Sequence, residues 1–223
     1  MNKTSLSKIC IYFIRIPKSY RNMRILIIFS ILITSCLSNT NKTSEISNSM
    51  QNNVDVNSKN KTIYNFTEQG KGKWRVQDDV VMGGRSDSQL KMTDEKQAHF
   101  SGRVSLENNG GFCSIHQTTE KTPYVIDKNS VAFVLFIKGD GKNYNFRVRT
   151  PNGKHAYAFT FSTKAEEWEK IAIPFNEMEA TFRGESIDVP NYAGENIVEM
   201  QLLIGNKKEE NFEILIESVA VKS

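Results

Sequence analysis

The pattern that most constrains the fold runs from Ile63 to Ser223, where short apolar segments alternate with clusters of turn-forming residues. The segments are rich in Val, Ile, Phe and Tyr, and the clusters contain Gly, Asn, Asp or Pro, which is typical of β-strands joined by turns. In this stretch no apolar period of 3.6 residues continues over three turns, so long helices are not expected. Roughly nine or ten strands over about 160 residues predict one all-β domain with a sandwich or barrel architecture.

Individual segments indicate how the strands are placed. Val131–Ile137 is apolar at every position, so it is expected to be a central strand covered on both faces. The next two predicted strands alternate in polarity and carry Arg147 and Arg149 on one and Tyr157 on the other. If these strands pair, they could place two guanidinium groups and an aromatic ring on one sheet face, where they would contact a ligand or partner. A face that is merely solvated is the alternative.

The first 35 residues have the features of a secretory signal. Arg24 precedes the apolar run Ile25–Ile33, which is too short for a membrane span of about 20 residues. Ile33-Thr34-Ser35-Cys36 resembles a bacterial lipobox, in which the Cys is lipidated and becomes the N terminus. We therefore expect a signal peptide over residues 1–35, with Met23 as an alternative start, and a lipid-anchored protein of the cell envelope, outside the cytoplasm. A plain cleaved signal and an uncleaved anchor are the other interpretations.

Residues 36–62 are expected to comprise the lipidated Cys36 and a disordered tether. Disorder is expected because Asn39–Lys61 is rich in Asn, Ser, Thr and Lys. The net charge of +4 is misleading, since residues 1–35 contain six of the 29 basic residues and no acidic residue. The rest of the chain has 23 basic and 25 acidic residues, which gives no basic footprint for nucleic acid. The predicted partners are a membrane, through Cys36, and a protein or a glycan.

The segment Asp78–Ser86 is dense in residues with special conformational or chemical properties. Gly83 and Gly84 permit a positive φ or a close backbone approach. Asp78 and Asp79 could accept hydrogen bonds from backbone amides in a capped turn, could supply oxygen ligands for a structural Ca²⁺, or could, with Arg85, contact a partner. The capped turn is the favoured interpretation.

A second polar segment contains Glu107, Asn108 and Asn109, followed by Gly110 and Gly111. Asn-Gly and Gly-Gly sequences are strong hairpin signals, which makes a turn the simplest interpretation. The three polar side chains would also suit hydrogen bonding to sugar hydroxyls. A third segment, Lys138–Lys142, contains Asp-Gly and is expected to join two strands, because it lacks the spacing of a phosphate-binding loop.

Catalytic and metal-binding patterns are not evident. Cys113 is the one cysteine of the predicted domain and has the surroundings of a buried strand position, so a disulfide within the domain is not available. His99, His116 and His155 do not have metal-ligand spacing, and no serine lies in a G-x-S-x-G elbow. We therefore predict a protein that is not an enzyme and has no catalytic residues, cofactor or catalytic metal.

Several segments, in this order and spacing, resemble the complex I intermediate-associated protein 30 family. They are Asp78–Ser86, Phe100–Gly102, Leu106–Ser114, Lys138–Tyr144, Trp168, Ile173–Phe175 and Phe182–Gly184. The sequence departs from the family pattern at His116 and Lys142, where arginine is usual, and at Met178, where an aromatic residue is usual.

The resemblance implies a jelly-roll β-sandwich of the galactose-binding-like type over residues 63–223. It also implies a non-catalytic role, since mitochondrial members of the family act in the assembly of respiratory complex I. The expected function is therefore a membrane-tethered binding domain with an assembly or chaperone-like role. A carbohydrate-binding module of an envelope lipoprotein is the alternative, because this fold also serves as the scaffold of such modules.

Overall fold

The computed structural model describes residues 60–119 and 121–223. That part of the chain contains thirteen strands, one short α-helix and three 3₁₀ helices, at Asp79–Met82, Glu107–Asn109 and Phe175–Glu177. The helix, α1, spans Phe66–Gln69 and is capped by the side chain of Asn65. The strands are β1 Asn60–Asn65, β2 Arg75–Val76, β3 Asp87–Met92, β4 Ala98–Val104, β5 Cys113–Thr118, β6 Ala132–Lys138, β7 Asn143–Arg149, β8 Ala156–Ser162, β9 Trp168–Pro174, β10 Glu179–Phe182, β11 Glu185–Ser186, β12 Glu199–Ile204 and β13 Glu210–Lys222.

The strands form two antiparallel sheets. The six-stranded sheet has the order β3-β4-β13-β6-β9, with β1 as the sixth strand, paired with β13. The seven-stranded sheet has the order β11-β10-β8-β7-β12-β5-β2. The long strand β13 joins the first sheet together, since its residues Glu210–Ile216 pair with β4 and Ser218–Lys222 pair with β1. Strand β6 pairs along the opposite edge of β13.

The hydrophobic core lies between the two sheets and is rich in aromatic side chains. Phe133 on β6 meets Phe146 on β7 edge to face, with ring centroids 5.4 Å apart, and both rings are buried. Phe212 on β13 packs in the same way against Phe100 on β4 and Tyr144 on β7. Contacts of this kind between the inner faces of two sheets stabilise a sandwich beyond the burial of apolar area alone.

The predicted all-β jelly-roll sandwich is confirmed, as is the deep position of the apolar strand. In β6, four consecutive residues from Ala132 to Leu135 are buried, so both faces of the strand are covered. The structure has more strands than the sequence predicted. The extra ones include β2 and β11, which have two residues each and are too short to show an alternating pattern.

The start of the folded domain differs slightly from the prediction. Asn60, Lys61 and Thr62, which the sequence places in the tether, belong to β1 and pair with Lys222, Val221 and Ala220. Their side chains are exposed, so backbone pairing at a sheet edge leaves no apolar signal in the sequence. The predicted signal peptide, Cys36 and the rest of the tether lie outside the described residues. Within the described residues, no helix combines the length and hydropathy needed to span a bilayer.

Candidate functional site

The two Gly-containing segments predicted as separate turns are joined through the carboxylate of Asp79. Asp79 begins a 3₁₀ turn and is only 3% exposed. Its oxygens accept hydrogen bonds from the backbone N–H of Ser86 at 3.2 Å and from the Ser86 hydroxyl at 2.7 Å. They also accept from the backbone N–H groups of Gly111 at 2.5 Å and Phe112 at 3.2 Å, 32 and 33 residues away. We call residues 78–86 and 106–112 the interlocked turns.

Glycines are required where these turns close around Asp79. Gly83 ends the 3₁₀ turn with φ of 85°, in the left-handed region that favours glycine. A Cβ atom on Gly84 would lie 2.2 Å from Asp79 Oδ1, and one on Gly110 would lie 2.6 Å from Oδ2. The sequence predicts that this pair of glycines allows a positive φ or a close backbone approach. Gly83 has the positive φ, and Gly84 makes the close approach.

The two carboxylates have different environments. Burial alone would raise the pKa of Asp79, but the Ser86 hydroxyl and three backbone N–H groups hold it below its usual value. Asp78 accepts hydrogen bonds from the backbone N–H and hydroxyl of Ser88, at 2.9 and 2.7 Å, yet burial raises its pKa. Both side chains therefore bind distant groups in the fold, and Asp78 does not cap the 3₁₀ turn that follows it. Among the described residues, no three His, Cys, Asp or Glu side chains form a group suited to a metal ion.

The outer surface of the interlocked turns combines apolar and charged side chains. Val80 is 58% exposed and Leu106 is 43% exposed. In the same two turns, Arg85 Nε and Glu107 Oε2 form an exposed ion pair at 3.3 Å. The Asn108 side-chain amide donates to the carbonyl oxygen of Gly83 at 3.0 Å, which links the two turns a second time.

Asn108 and Asn109 both have positive φ values, of 55° and 60°. Asparagine tolerates that conformation better than most residues, so the backbone geometry accounts for the Asn-Asn sequence. The structure therefore places six of the predicted contact residues in one surface region. They are Asp78, Asp79, Arg85, Glu107, Asn108 and Asn109, of which the two aspartates serve the internal structure.

A separate groove of about 480 Å³ crosses the outer face of the seven-stranded sheet, over β7, β8, β10 and β12. Its polar lining includes Asn143, Asn145, Arg147, Thr160, Glu179 and Asn206. Phe159 and Tyr144 also border the groove, but they pair with the buried Phe146 and Phe161, so both rings lie on the inner face of the sheet. The groove is therefore lined mainly by hydrogen-bonding groups.

The register of β7 and β8 corrects the predicted grouping of Arg147, Arg149 and Tyr157. The two strands pair as expected, and both arginines lie on the outer face. Tyr157, however, pairs with the buried Val148 and is itself 7% exposed, packed against Tyr192 in the core. Directly opposite residues in an antiparallel pair point to the same face, so Tyr157 is on the inner side and is not a contact residue.

A buried polar network next to the groove was missed by the sequence analysis. His116 Nδ1 lies 2.6 Å from Glu199 Oε1, and His116 Nε2 lies 3.0 Å from the Ser114 hydroxyl. Arg149 Nη1 donates to Glu199 Oε2 at 3.1 Å. The alternation of Ser114 and His116 along β5 was visible in the sequence, but Glu199 is 83 residues from His116 and nothing marked it as the partner.

The order Ser114, His116, Glu199 resembles the hydrogen-bond chain of a serine hydrolase, yet Ser114 is not placed as a nucleophile. Its side chain has no exposed surface, and its hydroxyl donates to the carbonyl oxygen of Gln77 at 2.5 Å. A nucleophilic serine must instead give its proton to the histidine and reach a substrate. Glu199 remains a charged partner, since the hydrogen bond and charge of His116 and the charge of Arg149 outweigh burial and lower its pKa.

Cys113 lies at the start of β5, where it is buried, as predicted. Its thiol donates to the carbonyl oxygen of Arg103 at 3.6 Å. Burial, together with the nearby charge of Asp78, raises the pKa of the thiol well above its usual value. The thiolate form needed for nucleophilic or metal chemistry is therefore disfavoured at this position.

Known structures with a similar fold include carbohydrate-related proteins. The solution structure of CtCBM11 has a TM-score of 0.50 and 12% sequence identity, over 73% of this chain and 94% of CtCBM11. The crystal structure of the agarase AgWH50C also has a TM-score of 0.50, with 6% identity over 74% of this chain. This chain spans only 24% of the length of that agarase. At these identities the similarity establishes the fold alone.

No curated protein sequence matches the chain. The model of one sequence family, described as complex I intermediate-associated protein 30, matches residues 64–216. That range runs from β1 to β13 and includes the interlocked turns, the groove and the His116–Glu199 pair. The chain therefore belongs to the complex I intermediate-associated protein 30 family.

Proposed function

We propose that the domain is a non-catalytic protein-binding module with an assembly or chaperone-like role, and that the interlocked turns form its contact surface. The observation that carries the proposal is the exposure of Val80 and Leu106 on turns that are held in place by the buried Asp79 carboxylate. Apolar side chains bordered by charged groups are typical of surfaces that bind another protein. The family match supports an assembly role.

The rigidity of this surface favours binding. The hydrogen bonds from Gly111 and Phe112 to Asp79 and from Asn108 to Gly83 fix the two turns relative to each other, and two further bonds from Ser86 to Asp79 close the first turn. A surface that is already ordered loses little conformational entropy when a partner binds, so more of the contact energy appears as affinity. The predicted lipid anchor at Cys36 would keep this surface near a membrane, and we therefore propose an envelope membrane protein as the partner.

The test is cross-linking of the full-length protein in its native envelope, followed by identification of the captured proteins. We expect the native chain to capture a defined membrane protein. A variant with Val80→Asp and Leu106→Asp should capture the partner at least roughly tenfold less, because each new carboxylate would be buried in the contact without a partner. Val125→Asp is the matched control, since Val125 is 62% exposed in the connection between β5 and β6. Equal capture by the double variant and the control would contradict the assignment of the surface.

A second candidate function is glycan binding in the groove of the seven-stranded sheet. It is favoured by the side-chain amides of Asn143, Asn145 and Asn206 and the hydroxyl of Thr160, which line an open groove long enough to cross four strands. Such groups suit hydrogen bonding to sugar hydroxyls. Titration calorimetry with neutral and acidic oligosaccharides tests this function. Absence of heat with every member of the set would exclude it.

A further inference from the structure

Arg147 differs from its neighbours in having no acidic partner among the described residues. Its Nε donates to Asn145 Oδ1 at 2.5 Å, and no Asp or Glu oxygen of the described chain lies within 4.0 Å of the guanidinium. Arg149, two residues along the same strand, is paired with Glu199. Arg147 is also half-buried and borders the groove. The groove therefore contains a partly desolvated positive charge without a counter-charge in contact.

That arrangement favours an anionic group on the ligand. Burial lowers the pKa of Arg147, although an arginine remains charged under all ordinary conditions. Asn145 occupies Nε and orients the planar guanidinium, while the terminal nitrogens have no hydrogen-bond acceptor among the described residues. Two terminal N–H groups held in one plane match the two oxygens of a carboxylate.

The opposite wall of the groove limits which anions fit. Arg147 pairs across the sheet with Ala158, which in turn pairs with Glu179 on β10. A small side chain thus separates the guanidinium from a carboxylate, and Glu177 lies on the same side as Glu179. Glu179 can accept hydrogen bonds from hydroxyl groups but repels negative charge. A ligand with negative charge along its whole length would therefore be disfavoured.

We infer that the groove recognises a sugar acid, with its carboxylate bound by Arg147 and its hydroxyl groups bound by Glu179 and the neighbouring amides. This inference rests on the second proposed function, glycan binding, and specifies the chemical class of the glycan. Uronic-acid residues have the required combination, since each has one carboxylate and several hydroxyl groups on a single ring.

The decisive experiment compares uronic-acid oligosaccharides with the same oligosaccharides after methyl esterification, which removes the charge and keeps the sugar. Calorimetry would use otherwise neutral oligosaccharides that carry a single galacturonate, glucuronate or mannuronate residue, with the full-length protein. At least one acid form should bind at least roughly tenfold more tightly than its ester, which is the difference in affinity expected when hydrogen bonds to a charged group are lost. Arg147→Gln should abolish this difference, and Arg147→Lys should retain only part of it. Arg103→Gln, an exposed position on the other sheet, removes the same charge and should have no effect.

The possible outcomes separate this inference from the proposed functions. Equal binding of acid and ester would overturn the carboxylate assignment and leave glycan binding in place. No binding of any acidic or neutral oligosaccharide would overturn both. A preference for the acid that persists in Arg147→Gln would also contradict the inference, and a thermal melt of each variant shows whether the domain is still folded. The cross-linking test of the interlocked turns is independent of all three results.

Discussion

Replacement of Asp79 by Ala should lower the free energy of unfolding by about 3–5 kcal/mol, because several buried donors would lose their acceptor at once. The donors are the hydroxyl and N–H of Ser86 and the N–H groups of Gly111 and Phe112. Such a loss is a large part of the total stability of a typical domain, which is roughly 5–15 kcal/mol. Urea denaturation followed by circular dichroism measures the change.

Asp79→Asn refines this test, because it keeps the size of the side chain and removes the charge. We expect a smaller but still large loss, since the amide NH₂ group would face N–H donors. Asp87→Asn is the matched control, as Asp87 is an exposed residue on β3. A change below about 0.5 kcal/mol, the usual effect of a surface substitution, should be seen there. A similarly small change for Asp79→Ala would refute the structural role of this carboxylate.

The lowered pKa of Asp79 also predicts a dependence of stability on pH. Its stabilising contribution is complete above the pKa of the unfolded chain, about 3.9, and is lost as the pH falls through the lower pKa of the folded state. The native protein should therefore lose stability in acid more steeply than Asp79→Asn does. Parallel curves for the two proteins between about pH 5 and pH 2 would contradict the prediction.

The second large effect is expected for Glu199→Gln, with a loss of about 2–3 kcal/mol. The substitution preserves volume but removes the buried negative charge that His116 and Arg149 share on the outer face of the seven-stranded sheet. Most of the effect should come from His116, whose side chain is 8% exposed, since Arg149 is 47% exposed and its ion pair is screened by water. Thermal and urea denaturation at neutral pH measure it.

Glu209→Gln is a suitable control for that measurement, because Glu209 also pairs with an arginine but at an exposed site. Its loss should be well under 1 kcal/mol. A double-mutant cycle with His116→Gln isolates the coupling of the buried pair. We expect the double variant to lose less than the sum of the single losses, because removal of both partners leaves no buried charge without a partner. Strict additivity would show that the two side chains do not interact.

The sequence predicted the local features of the interlocked turns but not their assembly. Gly83 and Gly84 were identified as residues needed for a positive φ and a close approach, since glycine has properties that no other residue shares. The donors to Asp79 at Gly111 and Phe112 could not be found, because no periodicity connects residues more than 30 positions apart. Asp79 therefore accepts backbone N–H groups, as a capping residue would, but two of its donors lie in another turn.

The groove shows the same division between strand pattern and sheet arrangement. Alternation along β7 placed Arg147 and Arg149 on one face, but the position of Tyr157 relative to that face depends on the register between β7 and β8. A shift of one residue reverses the face, so the sequence pattern alone could not decide it. The pairing of His116 with Glu199 likewise requires β5 and β12 to be neighbours, and only the sheet order shows that they are.

The sequence by itself determined that the chain forms an all-β domain, a sandwich or a barrel, where its main turns fall and which family it resembles. These features follow from periodicity, glycine conformation and motif spacing, which all act over short distances along the chain. The tertiary structure alone decided that Asp79 links two distant turns and that Tyr157 is buried. It also decided that Arg147 borders a groove and that no acidic side chain of the described residues contacts its guanidinium group. The physical reason is that these contacts depend on strand order and register, which bring together residues far apart in the sequence.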